Sequence, residues 1–270
     1  FFKFNRKKIM TKTVILCGGF GTRMREETEF KPKPMVNIGN QPIIYHIMKF
    51  YSYFNFNEFI LTLGYKGWHI KEYFLNYNYR SSSFSIDLES NKTKSLEIAN
   101  NKSENWNISL IETGTSTSTG GRICMIKDHL MNDDYFLLTY GDGLSDVKIS
   151  EVINSHKKSG KLATLVAIPH KSRFGVIKVD ENDKCISFNE KILDESSWIN
   201  GGFFVFNKKS LDYLSENLNE SLEEGMLTRL TKDGQLNVFK HFGFWQCMDT
   251  QREVELLNNI WNDGQAPWLL

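Results

Sequence analysis

A glycine-rich turn followed by hydroxyl and cationic side chains is the part of this sequence best suited to bind phosphate. The turn, Cys17-Gly18-Gly19-Phe20-Gly21-Thr22-Arg23, comes after an apolar run at residues 13–16 that predicts a buried strand. Because three of its positions are glycine, backbone N–H groups can approach and surround a polyphosphate. Thr22 adds a hydrogen-bond donor, and Arg23 adds a guanidinium whose fork fits phosphate oxygens. We therefore expect the turn to take part in phosphoryl chemistry on a nucleotide.

A lysine between two prolines follows this turn. Lys33 lies in the segment Lys31-Pro32-Lys33-Pro34-Met35, where the proline rings stiffen the backbone and can aim the ammonium group. The turn lacks the dinucleotide-binding pattern G-x-G-x-x-G, and no Gly-Lys-Ser/Thr of a Walker P-loop follows it. An NAD enzyme and a P-loop ATPase are therefore disfavoured.

Two aspartates occupy positions where a carboxylate could do chemistry. Asp142 follows a strand-like run at residues 135–140 and lies between two glycines, so it could bind Mg²⁺ beside a phosphate. Its alternative role is that of an ordinary aspartate in an Asp-Gly turn. Asp249 precedes a predicted helix at residues 251–262, and its position by itself suggests the N-cap of that helix.

Alternating strand and helix patterns predict the elements that position these groups. Strand-like runs occur at residues 59–63, 108–111, 135–140 and 162–168, and helical patterns at 42–54, 67–79, 122–130 and 149–158. This alternation predicts an α/β fold, Rossmann-like and doubly wound, with a mainly parallel sheet and helices on both faces. Ligands bind beyond the carboxyl ends of the strands in such a sheet, which is where the glycine-rich turn and Asp142 would lie.

The pattern changes after residue 170 and predicts a small C-terminal β/α part. A hairpin is expected at residues 176–179 and 185–188, a strand at 202–206, and helices at 210–216, 222–232 and 251–262. The polar segment 81–106 reads as a long excursion. We expect residues 1–9 to be a disordered upstream extension and residues 10–270 to form a single domain.

Composition excludes several classes of protein. Of the 270 residues 40% are hydrophobic, and the formal net charge is +1, which argues against a disordered chain and against general nucleic-acid binding. The four cysteines are widely spaced without a C-x-x-C pair, so we interpret them as thiols in a reducing cytoplasm rather than as a zinc site. No run approaches the length of a membrane span. We therefore expect a cytoplasmic protein without membrane or nucleic-acid partners.

Several motifs in chain order resemble those of one family. The glycine-rich turn and the Lys33 segment resemble those of the sugar-1-phosphate nucleotidyltransferases, and the likeness runs from about Met10 to the C-terminus. Further motifs narrow the resemblance to the group that transfers a cytidylyl unit to glucose 1-phosphate. These are Thr119-Gly120-Gly121-Arg122, Thr139-Tyr140-Gly141-Asp142-Gly143, Ile199-Asn200-Gly201-Gly202-Phe203-Phe204-Val205, Phe244-Trp245-Gln246-Cys247-Met248-Asp249-Thr250 and Ala266-Pro267-Trp268.

The resemblance implies a role for individual residues. It implies catalytic roles for Arg23, Lys33 and Asp142, and a Mg²⁺ cofactor held by Asp142 and Asp249. The implied nucleotide-binding residues are Leu16, Gly18, Gly19, Gly21, Thr22, Arg23, Lys33, Thr119, Arg122 and Gly141. The implied sugar-binding residues are Glu190, Lys191, Asn200 and Gly201. The family also implies a homo-oligomer.

The implied reaction transfers the cytidylyl group of CTP to a sugar 1-phosphate, with α-D-glucose 1-phosphate favoured. Its products are CDP-glucose and pyrophosphate. CDP-glucose in this family feeds the synthesis of deoxysugars of surface polysaccharides. The sequence departs from the family pattern at Ile192 and at Glu224-Gly225-Met226-Leu227, so sugar identity follows less directly than the reaction does. Alternatives are a transferase of the same fold that uses UTP, dTTP or another sugar phosphate, and a non-catalytic subunit that senses nucleotides.

Overall fold

The structure is a computed structural model that describes residues 11–80, 83–90, 92–96, 104–171, 176–189 and 193–269. The expectation that residues 1–9 are disordered falls outside the described residues. The same holds for the two predicted sugar-binding residues Glu190 and Lys191.

The strands and helices of the described residues alternate along the chain as expected for an α/β protein. In chain order the strands are β1 (Lys12–Leu16), β2 (Asn37–Ile38), β3 (Gln41–Pro42), β4 (Glu58–Leu63), β5 (Ser83–Asp87), β6 (Lys92–Leu96), β7 (Asn107–Glu112), β8 (Tyr135–Tyr140), β9 (Gly143–Ser145), β10 (Ala163–Lys171), β11 (Val176–Val179), β12 (Cys185–Asn189), β13 (Leu193–Asn207), β14 (Leu236–Lys240) and β15 (Trp245–Cys247). The α-helices are α1 (Arg25–Thr28), α2 (Ile43–Tyr53), α3 (Gly67–Leu75), α4 (Tyr77–Arg80), α5 (Thr119–Met125), α6 (Lys127–Leu130), α7 (Ile149–Ser159), α8 (Thr228–Lys232) and α9 (Gln251–Asn262). Short 3₁₀ turns occupy Thr22–Met24, Lys33–Met35 and Lys208–Tyr213, and a π-helical turn occupies Glu223–Leu227.

Seven strands form one sheet in the order β14-β10-β13-β8-β1-β4-β7. Strand β1 pairs in parallel with β4 on one side and with β8 on the other, in the register Thr13↔Leu137 to Leu16↔Tyr140. Strand β13 runs antiparallel to both of its neighbours, β8 and β10. The predicted mainly parallel, doubly wound sheet is therefore confirmed. Strand order reverses between β1 and β8, and the carboxyl ends of these two strands carry the glycine-rich turn and Asp142.

Helices cover both faces of this sheet because successive strand residues point to opposite sides. On β1, Ile15 packs with residues of α2, α3, α7 and α9, whereas Val14 and Leu16 pack with residues of α5, α6 and α8. The strands that are buried on both faces therefore read as continuous apolar runs, which is why β1, β4 and β8 were predicted from the sequence. Among the described residues, no helix combines the length and the apolar character needed to cross a bilayer.

Several predicted elements differ from those observed. The predicted helix at 67–79 breaks at Asn76 into α3 and α4, and that at 122–130 breaks at Ile126 into α5 and α6. The predicted strand at 202–206 belongs to the 15-residue strand β13. The polar excursion contains the hairpin β5–β6, and every residue of β5 is exposed, so no apolar alternation could indicate it. The predicted hairpin in the C-terminal part is present as β11–β12.

Candidate active site

A large cleft, of about 1780 Å³, opens where β1 and β8 end. Ligands of doubly wound sheets bind at this kind of reversal in strand order. The cleft brings together every described residue that the sequence predicted for the site: Leu16, Gly18, Gly19, Gly21, Thr22, Arg23, Lys33, Thr119, Arg122, Gly141, Asp142, Asn200, Gly201 and Asp249. Their placement agrees with the expectation, while their contacts with substrate stay predictions.

Lys33 lies at the centre of a charged cluster in this cleft. Its Nζ is 2.6 Å from Oδ2 of Asp142, and it also donates a hydrogen bond to Oδ1 of Asp249. The other oxygen of Asp249 accepts a hydrogen bond of 2.7 Å from Arg23. The Lys33 side chain is 13% exposed and that of Arg23 is 74% exposed, so Lys33 is fixed while Arg23 can move toward a ligand.

The charges in this cluster stabilise one another. Partial burial alone would lower the pKa of Lys33, but the charge and hydrogen bond of Asp142, together with the hydrogen bond of Asp249, outweigh it and raise that pKa. Burial alone would raise the pKa of Asp249, but Lys33 and Arg23 outweigh it and lower that pKa. Lys33 therefore stays a cation and Asp249 an anion at neutral pH.

Local backbone structure holds Lys33 in place. The 3₁₀ turn Lys33–Met35 begins after Pro32, and Pro34 is buried. Pro34 packs so closely on Gly141 that a Cβ at position 141 would lie 2.9 Å from its Cγ. Pro34 thus fixes the turn against the end of β8, and the proline on either side of Lys33 stiffens its backbone, as the sequence pattern indicated.

A two-stranded sheet brings the two aspartates together. Strands β9 and β15 pair antiparallel, with Cys247 opposite Gly143, and the Met248 N–H donates a 2.8 Å hydrogen bond to the Asp142 carbonyl. The N-cap of α9 is Thr250 in a capping box with Glu253, so the alternative role of Asp249 as helix cap is wrong. The Asp249 carboxylate is consequently available to the cleft.

The same two aspartates fit a divalent cation. Among the described residues, Asp142, Cys247 and Asp249 form a group whose ligand atoms all lie within 4.8 Å of one another. Burial raises the pKa of the Cys247 thiol, so Cys247 is neutral and the two carboxylates are the groups that could hold a cation. Both carboxylates already converge on one cation, the Lys33 ammonium, and hard divalent ions prefer such oxygen ligands.

Arg122 fixes the glycine-rich turn from beneath. Its buried guanidinium donates to the carbonyl of Gly18 at 3.0 Å, that of Leu63 at 3.1 Å and that of Gly114 at 2.8 Å. It thereby joins the ends of β1, β4 and β7. A direct contact between Arg122 and a nucleotide stays a prediction.

Arg122 packs against Gly18 but not against the neighbouring Gly19. A Cβ at position 18 would overlap the guanidinium, which its hydrogen bonds prevent from moving aside, whereas a Cβ at position 19 would meet nothing within 4 Å. We expect Gly18→Ala to lower the free energy of unfolding by about 1–3 kcal/mol, as overpacking does. Gly19→Ala is the matched control and should leave thermal unfolding unchanged. Equal melting temperatures for the two variants would contradict the conclusion that Arg122 packs rigidly against Gly18.

Thr119 contacts a segment that sequence reasoning did not connect to the site. Its Oγ1 accepts a 2.8 Å hydrogen bond from the Leu222 N–H and donates one of 3.1 Å to Glu223. Gly120 and Gly121 permit this approach, because a Cβ at position 120 would lie 2.7 Å from the Glu220 carbonyl oxygen and one at position 121 would overlap the backbone of Leu218. The two glycines of the Gly-Gly-Arg motif at residues 120–122 are therefore explained by close packing of α5, and its arginine by the hydrogen bonds that hold the glycine-rich turn.

The predicted sugar-binding strand contains a bulge. The pairing of β10 with β13 shifts between Leu165 and Ala167, opposite the Asn200–Gly202 segment. Gly202 has φ +79°, and a Cβ there would lie 2.6 Å from the Tyr140 ring. Bulges of this kind redirect side chains, and here the bulge places Asn200 in the cleft.

Sequence reasoning missed Tyr140 and Glu223 as cleft residues. Tyr140 lies in the motif of residues 139–143, which was interpreted through Asp142 alone. Glu223 directly precedes the four residues that depart from the family pattern. The departure from the family pattern at residues 224–227 could have pointed to Glu223, since these residues form the π-helical turn Glu223–Leu227. π-Helical turns occur frequently at functional sites.

Comparison with known proteins finds relatives that match nearly the whole chain. The model of the family described as nucleotidyl transferase matches residues 12–263. A Bacillus subtilis (strain 168) protein named "Probable glucose-1-phosphate cytidylyltransferase" is 45% identical over 95% of this chain and 98% of its own length. The glucose-1-phosphate cytidylyltransferase of Salmonella typhi is 43% identical with the same coverage. The solved structure of HddC from Yersinia pseudotuberculosis complexed with GMP-PN has the same fold, with a TM-score of 0.66, 21% identity and coverage of 93% and 100% of the two chains.

Proposed function

Because this chain belongs to the nucleotidyl transferase family, we propose that it forms CDP-glucose and pyrophosphate from CTP and α-D-glucose 1-phosphate. Members of this family transfer nucleotidyl groups to sugar 1-phosphates. The observation that carries the proposal is the Lys33 cluster, which lies in one cleft with the glycine-rich turn and the bulged Asn200 segment. A nucleotide and a sugar phosphate can thus meet at a fixed cation.

The reaction needs alignment and charge rather than a protein nucleophile. The glycine-rich turn would bind the β- and γ-phosphates, and the exposed side chain of Arg23 would move toward them. Lys33 would lie beside the α-phosphate. An ionised oxygen of the sugar phosphate attacks the α-phosphorus, a new P–O bond forms, and the bond to the bridging oxygen of pyrophosphate breaks. Holding the two reactants in place and stabilising the developing charge supplies the rate enhancement.

Family members typically use a divalent metal, and Asp142 and Asp249 would hold Mg²⁺ here. When bound, Mg²⁺ would neutralise triphosphate charge and stabilise the departing pyrophosphate. Lys33 would then exchange its carboxylate partners for the α-phosphate. In this cluster the pair of aspartates supplies the counter-charge for Lys33.

Product formation tests this proposal. The purified protein with CTP, α-D-glucose 1-phosphate and Mg²⁺ is expected to release pyrophosphate and CDP-glucose in equal amounts. The measurement is ³¹P NMR of the reaction mixture over time. Omission of the sugar phosphate is the control, and it should abolish pyrophosphate release. Binding of CTP without any release of pyrophosphate would favour the alternative of a non-catalytic nucleotide-sensing subunit, against which the complete set of Arg23, Lys33, Asp142 and Asp249 argues.

A further inference from the structure

The described polar groups around the predicted sugar-binding strand are largely engaged with one another. Asn200 accepts a 2.8 Å hydrogen bond from the Gly202 N–H and donates one of 3.3 Å to the Tyr140 hydroxyl. The Gly201 carbonyl accepts a 2.7 Å hydrogen bond from the Trp245 indole. These groups fix the shape of the wall, and each of the two amide oxygens already accepts one hydrogen bond from the protein.

Glu223 brings a charged acceptor to this part of the cleft. One oxygen of its carboxylate accepts a hydrogen bond from the Tyr140 hydroxyl, and the other accepts one of 3.1 Å from Thr119. A carboxylate offers about four lone-pair sites, so each oxygen can accept a further hydrogen bond. Because Glu223 is exposed and lines the cleft, a bound substrate can reach these free positions.

The surrounding structure fixes the position of Glu223. The preceding N–H, of Leu222, is bound by Thr119. Two residues later Gly225 has no room for a side chain, since Glu220 packs against it while forming a paired hydrogen bond of 2.9 and 2.7 Å with Arg229. Burial and the nearby Glu223 charge raise the pKa of Tyr140, so its hydroxyl remains a donor to the carboxylate. Glu223 is therefore a preorganised acceptor rather than a mobile surface side chain.

We propose that Glu223 accepts a hydrogen bond from a ring hydroxyl of the sugar phosphate and is a specificity-determining residue for the sugar. This inference rests on the proposed function, and it adds which side chain recognises a hydroxyl of the sugar. Hydrogen bonds from a hydroxyl to a carboxylate are stronger than those to neutral acceptors. The negative charge also repels the phosphate, which favours an orientation with the phosphate at Lys33 and the hydroxyls at Glu223.

A cycle of variants and substrate analogues tests this role. For the wild-type protein, kcat/KM is measured with α-D-glucose 1-phosphate and with its 2-, 3-, 4- and 6-deoxy analogues at saturating CTP. Loss of the hydroxyl that contacts Glu223 should cost about 10- to 100-fold. Glu223→Ala should cost a similar factor with the parent sugar, while the same deoxy analogue then adds little further loss. The KM for CTP should change little.

Glu224→Gln is the matched control. Glu224 is also an exposed carboxylate of the π-helical turn, but its described hydrogen bonds go to Ser221, and it does not line the cleft. This variant should keep wild-type discrimination among the analogues. If every deoxy analogue loses the same factor with Glu223→Ala as with the wild type, Glu223 does not read the sugar and the inference is overturned. Absence of turnover by the wild type with any sugar phosphate would overturn the proposed function as well.

Discussion

Asp142→Asn is expected to lower kcat/KM by about 10³-fold, because it removes a charge that both holds Lys33 and would bind the metal. The carboxylate accepts a 2.6 Å hydrogen bond from Lys33 and is 23% exposed, so the loss affects the active site more than the core. Steady-state kinetics at saturating Mg²⁺ and circular dichroism together separate loss of catalysis from loss of fold. Asp249→Asn should have a similar effect, since its carboxylate contacts the same ammonium group.

A suitable control for both variants is Asp128→Asn. Asp128 is exposed on α6 and does not line the cleft, so its change should leave kcat/KM near the wild-type value. Near-normal activity of Asp142→Asn or Asp249→Asn at saturating Mg²⁺ would show that the altered carboxylate is not a metal ligand.

Lys33→Ala is expected to lower kcat by about 10²-fold or more, because it removes a preorganised charge at the α-phosphate. Lys33→Arg should restore little of this activity. The ammonium lies between two carboxylates on a backbone fixed by proline, and a planar guanidinium fork cannot reproduce a point charge there. Single-turnover kinetics would show whether the loss lies in the chemical step.

Lys31→Ala is the matched control for this lysine. Lys31 belongs to the same proline-rich segment but pairs with Glu27 at 3.5 Å, outside the Lys33 cluster. Its change should leave kcat unaffected. Complete rescue by Lys33→Arg would show that only the net charge matters, and the account of a fixed point charge would then be wrong.

Local patterns predicted the parts of the site that depend on neighbouring residues. The glycine-rich turn, the proline-flanked Lys33 and the apolar runs of β1 and β8 are each read within a few positions of the sequence. Because parallel strands carry their loops to the same edge of a sheet, the approach of the turn to Asp142 followed from the predicted fold.

The approach of Asp249 to Asp142 could not be derived in this way. It depends on the pairing of β9 with β15, strands of three residues each that lie about a hundred positions apart. Three residues are too few for an alternating pattern to be recognised. The motif resemblance supplied Asp249, whereas its position considered alone suggested a helix cap that is in fact Thr250.

The direction of individual side chains, and hence their hydrogen-bond partners, also could not be predicted from the sequence. Arg122 and Thr119 were placed at the cleft from their motif, but their observed hydrogen bonds go inward to carbonyls and to the Leu222–Glu223 segment. Glu223 gave no periodic signal because it begins an irregular turn. A buried arginine must satisfy its donors, and only the assembled fold shows which carbonyls do so.

The ratio of kcat/KM for CTP to that for UTP and dTTP, with α-D-glucose 1-phosphate, tests cytidylyl transfer most directly. Cytosine presents an amino donor and a ring acceptor where uracil presents a carbonyl and a ring N–H. A site built for one pattern leaves buried groups unpaired with the other, which costs several kcal/mol. We predict that CTP exceeds both other nucleotides by at least about 10²-fold. A value for UTP or dTTP equal to or above that for CTP would contradict the proposed base choice.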